Sequence, residues 1–174
     1  QEIQSTKKLL QVALDADPSL LIVADDIEII LVNKTLLEFF EVDNLEAFKT
    51  KYEYMSNFFE EVDDPDYLLA FNNGEHWISY LQREQKNRDL KVLITRDDQE
   101  YHFRLHAEET LADHKILHTI IFDDITSEQE KITKLEEQAT TDALTHLFNR
   151  NGFDDILKQE IKLSNTTHTP LSII

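Results

Sequence analysis

Residues 100–107 read EYHFRLHA. Every second side chain is apolar: Tyr101, Phe103, Leu105 and Ala107 share one face, and His102, Arg104 and His106 share the other. A period of two over this length specifies a β-strand with one face on a core and one in water, the habit of an antiparallel sheet. Apolar runs at 90–95 and 115–122 flank it, joined through Asp97-Asp98 and through residues 111–114, so the three form an antiparallel meander.

Upstream, SLLIVA (19–24) and EIILV (28–32) read as two further strands, joined by a short turn at Asp25, Asp26 and Ile27. Asn33 ends the second strand and caps a helix that carries Leu36, Leu37, Phe39 and Phe40. In LEAFKTKYEYMSNFF (45–59) the apolar positions 45, 48, 52, 55 and 59 predict one helix, and EHWISYLQRE (75–84) predicts a shorter one with Trp77 and Leu81 inward. Residues 3–15 carry a narrow stripe of Ile3, Leu10 and Leu14 and form a helix that stops at Asp17-Pro18. The acidic run at 60–66 lacks the Asp/Asn/Gly ladder of a cation loop and reads as a solvated loop.

Downstream, a helix is predicted over 127–140. Thr126 with Gln129, and Ser127 with Glu130, both have capping-box spacing. Ile125, Ile132, Leu135 and Ala139 are separated by seven, three and four residues, the seam spacing of a coiled coil. A stripe this narrow meets an identical stripe better than it covers a globular core, so the helix is expected to act as a connector and to make a homodimer.

The 174 residues carry a net charge of −18, which repels a phosphate backbone and an anionic bilayer, so neither nucleic acid nor a membrane surface is an expected partner. The absence of cysteine excludes disulfides, thiolate chemistry and Cys-ligated metal. No apolar run is long enough to span a bilayer, so the segment is expected to be cytoplasmic, with any membrane attachment of a longer parent placed upstream. The chain begins at Gln1 and ends at Ile174 within an apolar run, which reads as a piece of a longer protein.

Two strands, a helical middle and three long strands leading into a helix resemble the layout of a PAS sensor domain. The residues that carry the resemblance are 19–42, with Asn33 where PAS domains commonly place Asn, and HTIIFDDIT (118–126), whose Asp124, Ile125 and Thr126 resemble the junction between a PAS sheet and its signalling helix. The resemblance implies an α+β PAS fold over 18–126: a five-stranded antiparallel sheet with short helices on one face, preceded by an N-terminal helix (1–17) and followed by the signalling helix (127–141). It also implies a core in which Ile22, Asn33, Phe39, Phe40, Phe58, Trp77, Phe103 and Ile120 either line a cavity for a small ligand or simply fill it. His76, beside Trp77, stands where haem-binding relatives place an axial histidine, but haem and flavin are not expected. A metal at His102, His106 and His118 is not expected either, since these read as a solvated or interface face.

Residues 139–157, ATTDALTHLFNRNGFDDIL, resemble the start of a GGDEF (diguanylate cyclase) domain. Asp142, Leu144, Thr145, Leu147, Asn149, Arg150 and Phe153 match that family's opening motif, whereas His146 stands for the usual Gly, Asn151 for the second Arg, and Lys158 for a usually acidic base-binding residue. The resemblance implies that 142–174 is the opening of that domain, that Asp142 and Arg150 form a structural ion pair, and that Asn149 contacts the guanine base of GTP in an intact parent, without a part in folding this segment. TPLSII (169–174) would then be the first strand. The metal aspartate and the GG[DE]EF loop lie outside these residues, so the segment itself is not expected to catalyse. The implied function is that of a sensory and dimerising module controlling a diguanylate cyclase. The alternative is a sensor for a degenerate GGDEF domain, or for a GGDEF plus phosphodiesterase protein, that acts by binding.

Overall fold

The computed structural model describes residues 2–25, 28–52, 55–112, 114–142 and 144–172. Asp26 and Ile27 of the expected turn, Ile173 and Ile174 of the expected last strand, and the side chains of Ile3, Leu10 and Met55 lie outside the described residues. The chain divides into two units, 1–126 and 127–174.

The first unit is an α+β PAS fold. Helix α1 (Glu2–Asp15) leads to β1 (Leu20–Ala24) and β2 (Ile29–Val32), then α2 (Lys34–Phe39), α3 (Leu45–Lys51) and a 3-10 turn (Met55–Phe58). A small hairpin, β3 (Phe71–Asn72) and β4 (Glu75–His76), precedes α4 (Trp77–Glu84), and the meander β5 (Lys91–Arg96), β6 (Gln99–Ala112) and β7 (Lys115–Asp124) follows. The five long strands form one antiparallel sheet in the order β2-β1-β7-β6-β5. Its core face carries Ile22, Phe103, Leu105, Ile120 and Phe122, packed against Leu36 of α2, Phe48 of α3 and Trp77 and Leu81 of α4.

Asn33 shows how a buried polar group becomes structural. It is fully buried. Its Oδ1 accepts the Leu21 and Leu36 amides at 3.0 and 3.1 Å, and its Nδ2 donates to the Ser19 carbonyl at 2.9 Å and to those of Leu14 and Asp17 at 3.3 and 3.4 Å. One amide thereby caps α2, continues the β1–β2 ladder and ties down the end of α1, satisfying the buried donors and acceptors that burial would otherwise penalise.

Two expected elements differ in extent. The single helix over 45–59 is broken: α3 ends at Lys51, Tyr52 is extended (φ −132°, ψ 95°), and 55–58 form a separate 3-10 turn. The break lets Phe48, Tyr52 and Phe58 converge on Phe40, with ring centroids 5.1 to 5.3 Å from it. A continuous helix would set residues 48 and 58 about 15 Å apart along its axis. The helix expected over 75–84 begins at Trp77, since Asn73 and Gly74 both have positive φ (53° and 82°) and close the β3–β4 hairpin. Asn-Gly is the strongest short hairpin signal in a sequence.

The β6–β7 pairing runs from Phe103↔Asp124 to Ala112↔Lys115, so residues 111 and 112 are strand where a connection was expected. Beyond the end of β5, the Gln85 side chain donates to the Ala107 carbonyl (2.6 Å) and accepts its amide (2.9 Å), doing for that edge what a neighbouring strand would do.

The second unit holds α5 (Thr126–Thr140) from Ser127 onward, and α6 (Arg150–Thr167). Residues 169–172 are not in a strand, in contrast to the expectation for TPLSII.

Candidate functional site

The junction from sheet to helix is held by more than its own three residues. The Asp124 carboxylate accepts the Thr126 amide at 2.9 Å and so caps α5. The Thr126 hydroxyl, expected to be the cap, instead accepts the His102 amide at 3.0 Å, and the Ile125 amide donates to the His102 carbonyl at 2.8 Å. Antiparallel pairing between β6 and β7 is thus carried past Phe103↔Asp124, with a hydroxyl in the place of a strand carbonyl. Next to it Asp123 accepts the Ser19 hydroxyl at 2.7 Å and lies 3.8 Å from His106 Nε2.

This pairing corrects one expected role. Ile125 is only 4% exposed, so it is not available to a coiled-coil seam. The other seam residues differ: Ile132 and Leu135 are 41% and 64% exposed, and Ala139 is exposed as well.

His102 was legible only as a polar position on an alternating strand. Its importance comes from its contacts. Besides the two backbone bonds to the junction, its ring Nδ1 lies 2.6 Å from the Tyr67 hydroxyl, and the two rings meet edge to face at 5.7 Å. Burial, with Asp64 and Glu100 nearby, raises the Tyr67 pKa above its ordinary value, so its hydroxyl keeps its proton at neutral pH. Neither Tyr67 nor Ser19 carries a local sequence signal for these roles, since their partners lie 35 and 104 residues away.

The expected pocket residues fall into two groups. Phe39, Phe40, Phe58 and Phe103 belong to one aromatic network, with Phe39 5.0 Å from Phe40 and 5.3 Å from Phe103, and Phe40 5.1 Å from Phe58. Trp77 joins through Phe122 at 6.2 Å, and Ile22 and Ile120 belong to the same buried cluster. The Arg96 guanidinium lies over the Phe39 ring at 5.0 Å and donates to the Phe39 carbonyl, closing one end of the network. Asn33 stands apart, because its amide is committed to the backbone partners described above.

The histidines are dispersed. His118 is buried on the core face, opposite Glu109 and Ala24, with Nδ1 2.6 Å from Gln82 Nε2 and 3.7 Å from Glu109 Oε1. His102 and His106 lie on the other face, so the shared face expected for the three is corrected: 118 has the parity of Ile120 and Phe122. His76 is exposed and accepts the Ile78 amide at 3.4 Å as the cap of α4, rather than facing the core. Among the described residues no group of three or more His, Asp or Glu could hold a metal ion.

In the second unit, residue 142 and residues 144–152 form a hydrogen-bonded corner. Asp142 Oδ1 accepts the Thr145 amide (2.9 Å), the Thr145 hydroxyl (2.9 Å) and the Leu144 amide (3.2 Å). These bonds hold its pKa below the ordinary carboxylate value. The carboxylate is thus engaged inside its own turn, which corrects the expected pairing with Arg150. Asn149 caps α6 by accepting the Asn151 and Gly152 amides at 2.9 and 3.1 Å, and donates to the carbonyls of Ala139 (2.8 Å) and Thr141 (3.4 Å). It therefore has a folding role that sequence reasoning denied it. His146, in the place of the usual Gly, takes a left-handed conformation (φ 57°). A Cβ at Gly152 would lie 2.3 Å from the Thr140 carbonyl, so only Gly lets α6 approach α5 there.

Known structures are similar to this chain in fold. A PAS domain of an HTR-like protein from Haloarcula marismortui is 17% identical, with a TM-score of 0.46, over 71% of this chain and 95% of that one. The PAS domain of Bordetella pertussis BvgS is 19% identical, with a TM-score of 0.45, over 78% and 96%. An RNA-binding light-oxygen-voltage receptor has a TM-score of 0.52 at 14% identity, over 77% of this chain and 37% of its own. Neither a protein-family model nor a curated protein sequence matches the chain. No described helix is long and apolar enough to cross a membrane.

Proposed function

We propose that residues 18–126 are a sensory PAS module whose state is passed through α5, in a homodimer, to a diguanylate cyclase output. The observation that carries this reading is the junction. Ile125 and Thr126, at the start of α5, are bonded to the sheet at His102, so a change in sheet packing must either move the helix start or break two hydrogen bonds. The exposed Ile132 and Leu135 supply the stripe for a second copy. Support for the cyclase output is the 142–153 motif. The left-handed His146 explains why a glycine is usual there, and the Thr145 bonds to Asp142 explain the Asp-x-Leu-Thr spacing.

A degenerate, non-catalytic output is the second reading. It is favoured by the commitment of the Asn149 amide to backbone groups and by Lys158, which pairs with Asp155 at 3.2 Å. The signal is proposed to be a small ligand within the aromatic network or a change in its packing.

Native mass spectrometry of the chain tests the module directly. A dimer that becomes a monomer when Ile132 and Leu135 are both changed to Asp is the expected result, since the seam would have to bury charge. An unchanged mass removes the coiled-coil proposal. Added mass on the dimer would identify a retained ligand.

A further inference from the structure

We propose that Tyr67 is the positioning residue of the junction: through the His102 ring it couples the 59–68 segment, which straps the outer edge of β5, to the first residue of α5.

The strap is bonded along its length. Glu60 donates to the Leu93 carbonyl at 2.9 Å, Leu68 to that of Lys91 at 2.8 Å, and Lys91 donates back to the Asp66 carbonyl at 2.9 Å. Its far side is fixed to the end of α4 by Arg88, whose Nε and Nη2 reach Asp66 Oδ1 at 2.8 and 2.7 Å, while Nη1 reaches the Tyr80 hydroxyl at 2.9 Å and Nη2 also donates to the Pro65 carbonyl. Tyr80 and its neighbours Trp77 and Leu81 on α4 are buried in the core, so a change in core packing has a bonded route into the strap.

Tyr67 is the point where the strap leaves its own strand and reaches across the sheet. Its hydroxyl lies 2.6 Å from His102 Nδ1 on β6. The same residue donates its amide to Thr126 Oγ1 and accepts the Ile125 amide. Beyond Phe103↔Asp124, the last regular β6–β7 pair, those two bonds hold the start of α5 to β6. A third anchor on residue 102 is therefore large relative to the clamp itself. Moving the strap outward must break the Tyr67–His102 bond or carry the ring along, and Tyr67 is only 9% exposed, so a broken bond is costly to replace.

Coupling between two elements is reciprocal, so both directions are testable. The experiment is NMR-detected amide hydrogen exchange on the full 174-residue chain. Tyr67→Phe should speed exchange at His102 and Ile125 by roughly tenfold, the equivalent of one hydrogen bond of ordinary net strength, while Leu105 and Asn33 change by less than about twofold. Thr126→Ala, which opens the clamp from the helix side, should speed exchange at Leu68 on the strap. His102→Ala leaves the backbone clamp in place and should reproduce the Tyr67→Phe pattern. His102→Gln, which offers the Tyr67 hydroxyl a new partner, should bring the rates back toward wild type. The proposal fails if Tyr67→Phe leaves His102 and Ile125 at wild-type rates, or if all four amides accelerate together as in a general loss of stability. It also fails if Gln at 102 behaves as Ala does. That α5 leads to an output rests on the function proposed above, but the exchange pattern does not, so the two can fail separately.

Discussion

Asn149 has more to do in folding than its motif suggests. Its side chain accepts two amides of the first turn of α6 and donates to two carbonyls at the end of α5 and just beyond it. Asn149→Ala should destabilise the corner by about 1–2 kcal/mol, the upper part of the range for a lost helix cap. The check is faster exchange of the Asn151 and Gly152 amides. Position 146 should respond in the opposite sense: a side chain in the left-handed region costs about 1–2 kcal/mol, and glycine gives back part of this through its freer unfolded chain. His146→Gly should therefore raise stability by up to about 1 kcal/mol in a urea titration. Asp142 makes the corner pH-dependent. Its pKa is lowered in the folded state, chiefly by the Thr145 amide and hydroxyl, so the unfolded state binds its proton first as the pH falls. The contribution is complete above the ordinary value of 3.8 and is lost as the pH drops through the lower, folded-state value. Thr145 amide protection should follow that course, and protection that disappears already near neutral pH would show that another group holds the turn. The sequence displayed Asp142 and Asn149 as motif letters, but apart from the Thr145 hydroxyl their partners are backbone groups, which carry no identity that a pattern can read.

Elements were legible where the pattern was local. Residues 100–107 show one face in every second letter, and the strand they announce is central to the β5–β6–β7 meander. Asn33 announced its cap because a cap acts over three residues. The 45–59 segment misled for the opposite reason: aromatic positions spaced for a helix serve equally well when the helix is broken, and only the tertiary position of Phe40 decides between the two. That position is testable. Phe48 is fully buried and touches both Phe40 and Tyr52, so Phe48→Ala should cost about 3–5 kcal/mol, the range for truncating a core aromatic. A much smaller loss by chemical denaturation would mean that the aromatic corner can collapse around the gap. The face of His118 depended on whether HTIIF alternates from its first or its second residue. Apolar letters on both parities left that undecided until β1 and β6 fixed the register.

The two units differ in how they are held. Every residue of the main core cluster lies in the first unit, and in the second the one described residue that is buried is Gly152, which has no side chain to contribute. In α6 Phe153, Ile161 and Leu163 are 46 to 54% exposed, so 127–174 buries too little apolar surface to offset the ordering of its own chain. The second unit should therefore melt first. Trp77 is the only tryptophan and lies in the core of the first unit, which allows the two to be followed separately. On heating, helical ellipticity should fall in two steps, and Trp77 fluorescence should change only in the second. A single transition seen by both probes would mean that the units unfold as one. The first step carries further information: if α5 pairs with a second copy, association stabilises the folded second unit by mass action, so its midpoint must rise with protein concentration while that of the Trp77 step changes much less. Ile132→Asp with Leu135→Asp should abolish this dependence. A first step independent of concentration in the unaltered chain would place any dimer contact in the PAS unit instead, leaving α5 to transmit without pairing.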